Sequence, residues 1–132
     1  MTVYDNAREI EENLPAFLTQ TYEPGFEVIV VDESSTDNTE DVLKLFKKDY
    51  PQLYTTFLPK PNRNVIRRKL ALTIGVKAAK NEWVILTDIH NKPTSEEWLK
   101  EIAESIDRTT ETMIGYYRKK DTRIQLFDEV SE

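Results

Sequence analysis

Apolar positions along the chain alternate between a helical rhythm and short unbroken runs. From about Ala7 to Thr19, Ile10, Leu14, Phe17 and Leu18 recur at helical spacing, with Asp5 or Asn6 available as a cap. Pro15 sits inside that pattern and predicts a kink or a delayed start. Glu23-Pro24-Gly25 reads as a turn, and Phe26 to Val31 as a strand. Its unbroken Val28-Ile29-Val30-Val31 run is the pattern of a parallel strand buried on both faces. Asp41 to Lys48 predicts a helix with Val42, Leu45 and Phe46 inward, and Leu53 to Leu58 a second strand ended by Pro59 and Pro61. A helix from about Val65 to Lys80 repeats Ile66, Leu70, Ile74 and Ala78 every four residues. Trp83 to Thr87 predicts a third buried strand that stops at Asp88. Pro93 and Ser95 open a helix whose Trp98, Leu99, Ile102 and Ile106 share a face. Thr112 to Tyr117 predicts a fourth strand, and Arg123 to Val130 a weak final helix. Such alternation predicts an α/β fold with a mainly parallel sheet flanked by helices, whose ligands bind at the carboxyl ends of the strands.

Composition narrows the function. At 132 residues, 32% charged and 39% hydrophobic, the chain is the size of one domain able to bury its own core. It has no cysteine and a single histidine, His90, which excludes disulfides, thiol chemistry and poly-histidine metal sites within it. A net charge of −6 argues against nucleic acid as a partner. No apolar run approaches the ~20 residues of a membrane span, and Met1-Thr2-Val3-Tyr4 does not open a signal peptide. A cytoplasmic domain is expected.

Candidate chemistry follows the strands. After Val31 comes Asp32-Glu33-Ser34-Ser35-Thr36-Asp37-Asn38-Thr39, and after Thr87 comes Asp88-Ile89-His90-Asn91. An acid at a strand end can bond a nucleobase N–H or ribose hydroxyls. An Asp-x-His pair offers carboxylate oxygen and imidazole nitrogen to an Mn²⁺-type ion. Simpler roles compete: Ser34, Thr36 and Asp37 are good N-caps for the next helix, and a lone histidine after a strand is often an ordinary loop residue. Arg63, Arg67, Arg68 and Lys69 oppose the dipole at a helix start, where an anion or a merely solvated face would explain them.

Together these segments resemble glycosyltransferase family 2, inverting nucleotide-sugar transferases of the GT-A fold. Val3-Tyr4-Asp5-Asn6 is similar to the family's V-Y-N opening, with Gln20-Thr21-Tyr22 at the family's distance from it. Phe26 to Thr39 is similar to F-E-V-I-V-V-D-D-G-S-T-D-x-T, and Lys69 to Gly75 loosely follows K-x-x-A-L-N-x-G. Asn81-Glu82-Trp83 and Leu86-Thr87-Asp88-Ile89-His90 fit the G-E-y…L-D-A-D block, with Trp98-Leu99 after it. The resemblance implies a Rossmann-like GT-A domain over 1–132. Tyr4 would flank the base, Asp32 with Glu33 would bind uracil or ribose, and Arg68 or Lys69 would reach the base or diphosphate. Asp88 would bind ribose and metal, and His90 would replace the second Asp of D-x-D, as related GT-A enzymes allow. Mn²⁺, or Mg²⁺, is the implied cofactor, a UDP-sugar the donor, and a saccharide or lipid-linked hydroxyl the acceptor of a hexosyl group. Relatives with a spanning helix imply work at the cytoplasmic face of a membrane in a longer form.

Departures from the family set further expectations. Only Met1 and Thr2 precede Val3, so the family's central first strand is expected to be absent. Another strand, or one from a second chain, would fill that gap, which favours a homodimer. The family's catalytic base belongs to a region beyond Glu132, so the chain is expected to be a truncated donor-binding half, inactive or nearly so alone. Two other readings compete. The Asp32-Glu33 and Asp88 pattern also resembles a response-regulator receiver, and a transferase remnant kept for protein contacts is the third.

Overall fold

The computed structural model describes residues 1–58, 67–81, 83–105, 112–113 and 116–118. Strand and helix alternate through β1 (Thr2–Val3), α1 (Ala7–Leu18), β2 (Val28–Asp32), α2 (Thr39–Asp49), β3 (Leu53–Phe57) and α3 (Arg67–Ala78). β4 (Trp83–Ile85), α4 (Trp98–Ser105), β5 (Thr112–Met113) and β6 (Tyr116–Arg118) follow. β1, β2 and β3 form a parallel sheet in that order, while β4, β6 and β5 form an antiparallel one. The Rossmann-like expectation thus holds for the first sheet.

β2 explains the sandwich. Val30 belongs to a core cluster with Ile10, Leu14 and Phe17 of α1 and Val42 and Leu43 of α2. Its neighbour Val31 belongs to the opposite one, with Leu58 and Ala71. Alternate side chains of one apolar run therefore meet helices on both faces, as a parallel strand requires. Gly75 brings α3 close: a methyl there would stand 3.4 Å from Val31 Cγ2.

Thr2 and Val3 form a short strand beside β2. Thr2 pairs with Val31 and Val3 with Asp32. The Met1 ammonium donates to Ile29 O at 2.9 Å, Val31 N donates to Met1 O at 2.9 Å, and Glu33 N donates to Val3 O at 2.8 Å. Apolar Val3, buried in the core, holds this short strand against β2.

Several expected faces are corrected. On α2, Thr39, Val42 and Leu43 are buried while Leu45 is 62% exposed, because the i, i+3, i+4 stripe from Thr39 bypasses it. On α3, Ala71, Leu72 and Val76 are buried while Leu70 is 40% exposed. Spacing of four drifts by ~40° per step around a helix, so that series cannot hold one face. β4 is half-buried rather than buried, with β6 its one strand neighbour among the described residues. The Thr112–Tyr117 stretch holds two short strands, with Thr112 opposite Tyr117, each satisfying the other's backbone. Pro15 delays nothing: α1 begins at Ala7, and Pro15 O accepts both Thr19 N–H and its hydroxyl. Ile106 and the 123–130 helix lie outside the described residues.

Gln20 joins the two parts. Its amide donates to Ala16 O and Ser95 O, both at 2.9 Å, and its Oε1 accepts Leu99 N at 2.8 Å. One buried side chain thereby ends α1 and caps α4. Phe17 and Trp98 pack edge-to-face beside it, ring centroids 6.0 Å apart.

Candidate functional site

The carboxyl ends of β1 and β2 carry two loops that fasten each other. Asp5, just past β1, has φ +50°, a left-handed conformation that Asp tolerates better than most residues. Its Oδ1 accepts Thr36 N at 2.6 Å and Asp37 N at 3.2 Å, and Thr36 Oγ1 donates to its Oδ2 at 3.1 Å. Asp5 N donates to Ser35 Oγ at 2.8 Å, and Ser35 Oγ donates in turn to Asp32 Oδ1 at 2.6 Å. Ser35 N donates to the same oxygen at 2.9 Å. The carboxylate of Asp32, a residue only 8% exposed, is therefore oriented through one oxygen by the loop that follows it. Among the described residues no hydrogen bond engages its Oδ2.

Asp37, the expected N-cap, serves two helices instead. Its Oδ1 accepts Thr39 N at 2.9 Å and Thr39 Oγ1 at 2.5 Å, and its Oδ2 accepts Ala7 N at 3.3 Å. Burial pushes this carboxyl up, but the Thr39 hydroxyl and the N–H groups of Thr39 and Ala7 outweigh it and hold it below the usual aspartate value. Asn6, the positional cap of α1, makes no side-chain cap bond, because its Oδ1 accepts Tyr4 N at 2.8 Å. Ser34 stands where the resembled pattern has glycine and adopts φ +62°, its hydroxyl donating to Leu58 O. That contact ties the β2 loop to the end of β3.

The second acidic loop is pinned by its middle residue. Ile89 is buried in the cluster that holds Val3 and Ile10, and its carbonyl accepts Asn13 Nδ2 of α1 at 2.8 Å. Asp88 and His90 flank it on a tight turn. Asp88 Oδ1 accepts His90 N at 2.9 Å, and Asp88 O accepts Asn91 N at 3.0 Å. His90 is exposed and Asp88 half-buried.

Tyr4 is 45% exposed beside Asp5, and Glu33 is half-buried after Asp32. Tyr4, Asp32 and Glu33 thus share the edge formed by the ends of β1 and β2. Arg68 and Lys69 fall in the first turn of α3, with their side chains outside the described residues, as is Arg63. Among the described residues no three His, Asp or Glu side chains converge as a closed metal cage. No helix among them is long and apolar enough to cross a membrane. Sequence reading missed Asp5, Ser35, Asn13 and Ile89 as the residues that position the acids. The one available signal was Asp5 standing just before a helical pattern, where it reads as a cap.

The chain matches the family described as Glycosyl transferase family 2 over residues 1–126. It is 28% identical over 105 residues to the putative teichuronic acid biosynthesis glycosyltransferase TuaG of Bacillus subtilis, covering 79% of this chain and 40% of that protein. The fold is similar, with a TM-score of 0.70 and 28% identity, to a mannosyltransferase, PcManGT of Pyrobaculum calidifontis, solved with GDP-Man and Mn²⁺. That match covers 83% of this chain and 32% of the mannosyltransferase. TarS of S. aureus, solved with UDP-GlcNAc, gives a TM-score of 0.62 at 27% identity, over 78% of this chain and 28% of that one. The chain thus spans well under half the length of each.

Proposed function

The chain belongs to glycosyl transferase family 2 and has a Rossmann-like GT-A fold, and from that premise we propose that it binds the nucleotide-diphosphate part of a sugar donor at the β1, β2 and β4 loops. The carrying observation is the Asp32 carboxylate, oriented through one oxygen by Ser35 at the end of β2. Its other oxygen would accept a nucleobase N–H or a ribose hydroxyl, Glu33 would add a second acceptor, and exposed Tyr4 would lie along the base. Arg68 and Lys69 would meet the diphosphate at the start of α3, where the helix N-terminus also favours an anion. A uridine nucleotide is the first choice of donor. The complexes of TarS with UDP-GlcNAc and of PcManGT with GDP-Man support a nucleotide sugar of either base.

The Asp88–His90 turn fits a divalent cation of the Mn²⁺ type. It presents a carboxylate and an exposed imidazole two residues apart, donors of the mixed oxygen and nitrogen kind that Mn²⁺ accepts better than Mg²⁺. Two such groups leave coordination positions for diphosphate oxygens and water. A cation held there would stabilise the charge on the departing diphosphate. Inverting transfer further needs a base for the acceptor hydroxyl. None of the proposed donor-site residues is assigned that task, so the role proposed for these loops is donor binding. The receiver reading falls with the family match.

Calorimetric titration of UDP and GDP, with and without Mn²⁺, tests this. Metal-dependent binding is expected, weakened roughly tenfold or more in His90→Ala, since even groups supporting a metal ligand are worth that much. Asp32→Asn, which keeps an acceptor for Ser35 and removes the charge, is expected to weaken nucleotide binding in both conditions. Absence of binding by either nucleotide refutes the donor-site reading and favours a remnant kept for contacts.

A further inference from the structure

The peptide that joins Ile89 to His90 is held at both of its polar ends. Its carbonyl accepts Asn13 Nδ2 at 2.8 Å, and its N–H donates to Asp88 Oδ1 at 2.9 Å. A trans peptide is planar with its C=O and N–H pointing opposite ways, so two such bonds fix the tilt of the plane. Asn13 is half-buried on α1, one position before buried Leu14 and three after buried Ile10. Ile89 packs into the same cluster as those two residues. α1 therefore grips the turn twice, by the Ile89 side chain and by the Ile89 carbonyl. Burial of the side chain sets where the turn lies. It leaves the plane soft dihedrals to tilt about, and the Asn13 amide removes that freedom. Among the described residues no hydrogen bond engages Asp88 Oδ2, and His90 is exposed.

We propose that Asn13 is a positioning residue for the Asp88–His90 turn and that it sets the turn's preference for Mn²⁺ over Mg²⁺. Resting on the cation site proposed above, this role brings into it a residue of α1, outside the three donor loops. The Asp88 carboxylate is pinned at Oδ1 by His90 N–H, and Oδ2 is the oxygen left for a cation. His90 leaves the same peptide plane through its own Cα, so carboxylate and imidazole share one frame. Without the Asn13 amide, the Ile89 carbonyl turns toward water to replace its lost partner. The N–H at the other end of the plane turns with it and releases Oδ1. Carboxylate and imidazole then lose their common frame. A lone carboxylate still serves Mg²⁺, which binds through one or two carboxylates, phosphate oxygens and water. Mn²⁺ loses the well-placed imidazole nitrogen that favoured it.

The test reads how far metal strengthens nucleotide binding, in the parent chain and in Asn13→Leu. The probe is UDP or GDP, whichever the parent binds more tightly, and the readout is its calorimetric Kd without metal divided by its Kd in saturating Mn²⁺ or Mg²⁺. Leucine is close to asparagine in shape and favours a helix, but offers no donor. The Mn²⁺ ratio is expected to fall about tenfold or to unity, the scale of losing a group that orients a metal ligand. The Mg²⁺ ratio is expected to fall by less. The metal-free Kd is expected to stay unchanged, since Asp32 is held by its own loop. Asn13→Ala, which also lacks the amide, is expected to behave the same way and takes the place of Asn13→Leu if that variant does not fold. An unchanged Mn²⁺ ratio, an equal fall with Mg²⁺, or a matching loss of metal-free binding overturns the positioning role. The last two are what a merely structural Asn13 would give. A parent chain that binds neither nucleotide, or gains nothing from Mn²⁺, refutes the reading on which this role rests and the role with it.

Discussion

The Asp37 carboxylate accepts first-turn N–H groups of α1 and α2, which begin about thirty residues apart in sequence. Asp37→Ala is expected to lose about 1–2 kcal/mol of stability, the range for removing an N-cap, measured by urea unfolding. The pH dependence has a definite sign. A carboxyl held below its usual value contributes stability that is present above the unfolded value near ~3.9 and lost as pH falls through the lower folded value. Asp37→Asn is expected to flatten that acid limb. Ser34 supplies a second test, because φ +62° costs a side chain about 1 kcal/mol that glycine avoids. At ordinary loop positions Ala is the more stabilising of the two; here Ser34→Gly is expected to exceed Ser34→Ala by about that amount in thermal and urea unfolding. Both residues were legible as polar loop positions. Their partners were not, since Ala7 and Leu58 lie 30 and 24 residues away.

At the scale of elements, a buried residue positions an exposed pair. Ile89 sits in the core between Asp88 and His90, and Asn13 holds its carbonyl to α1. Ile89→Ala is expected to cost about 3 kcal/mol by leaving a cavity, with a fall in metal-dependent nucleotide binding. Leu45→Lys, on the exposed side of α2, is expected to stay within about 0.5 kcal/mol of the parent. A single comparison of unfolding midpoints separates these outcomes. Element existence was readable because β2's apolar run and α1's spacing are strong local patterns. The inward faces of α2 and α3 were not. Leu45 and Leu70 are as apolar as their buried neighbours, and only the position of the sheet decides which of them it covers.

Across the whole molecule, stability concentrates where β2 is laddered on both sides. Val31 pairs with Thr2 and with Thr56, and core clusters lie on both faces of β2. β4 has three residues paired to β6, its one strand neighbour among the described residues. Hydrogen exchange is therefore expected to be slower at Val31 than at Val84 by about tenfold or more, as for a core strand against an edge one. The sequence by itself determined the α/β alternation, the family, and the acids that end β2 and follow β4, because strand runs, helical spacing and polar strand ends are local properties. Tertiary structure alone decided that Asp5, Ser35 and Asp32 form one hydrogen-bonded chain. It alone decided that Thr2 and Val3 pair with Val31 and Asp32, and that residues of β2 and β4 line one cavity. Each of those depends on which distant segments the sheet brings together, and backbone hydrogen-bonding groups are the same at every residue, so no side-chain pattern announces which strands will pair.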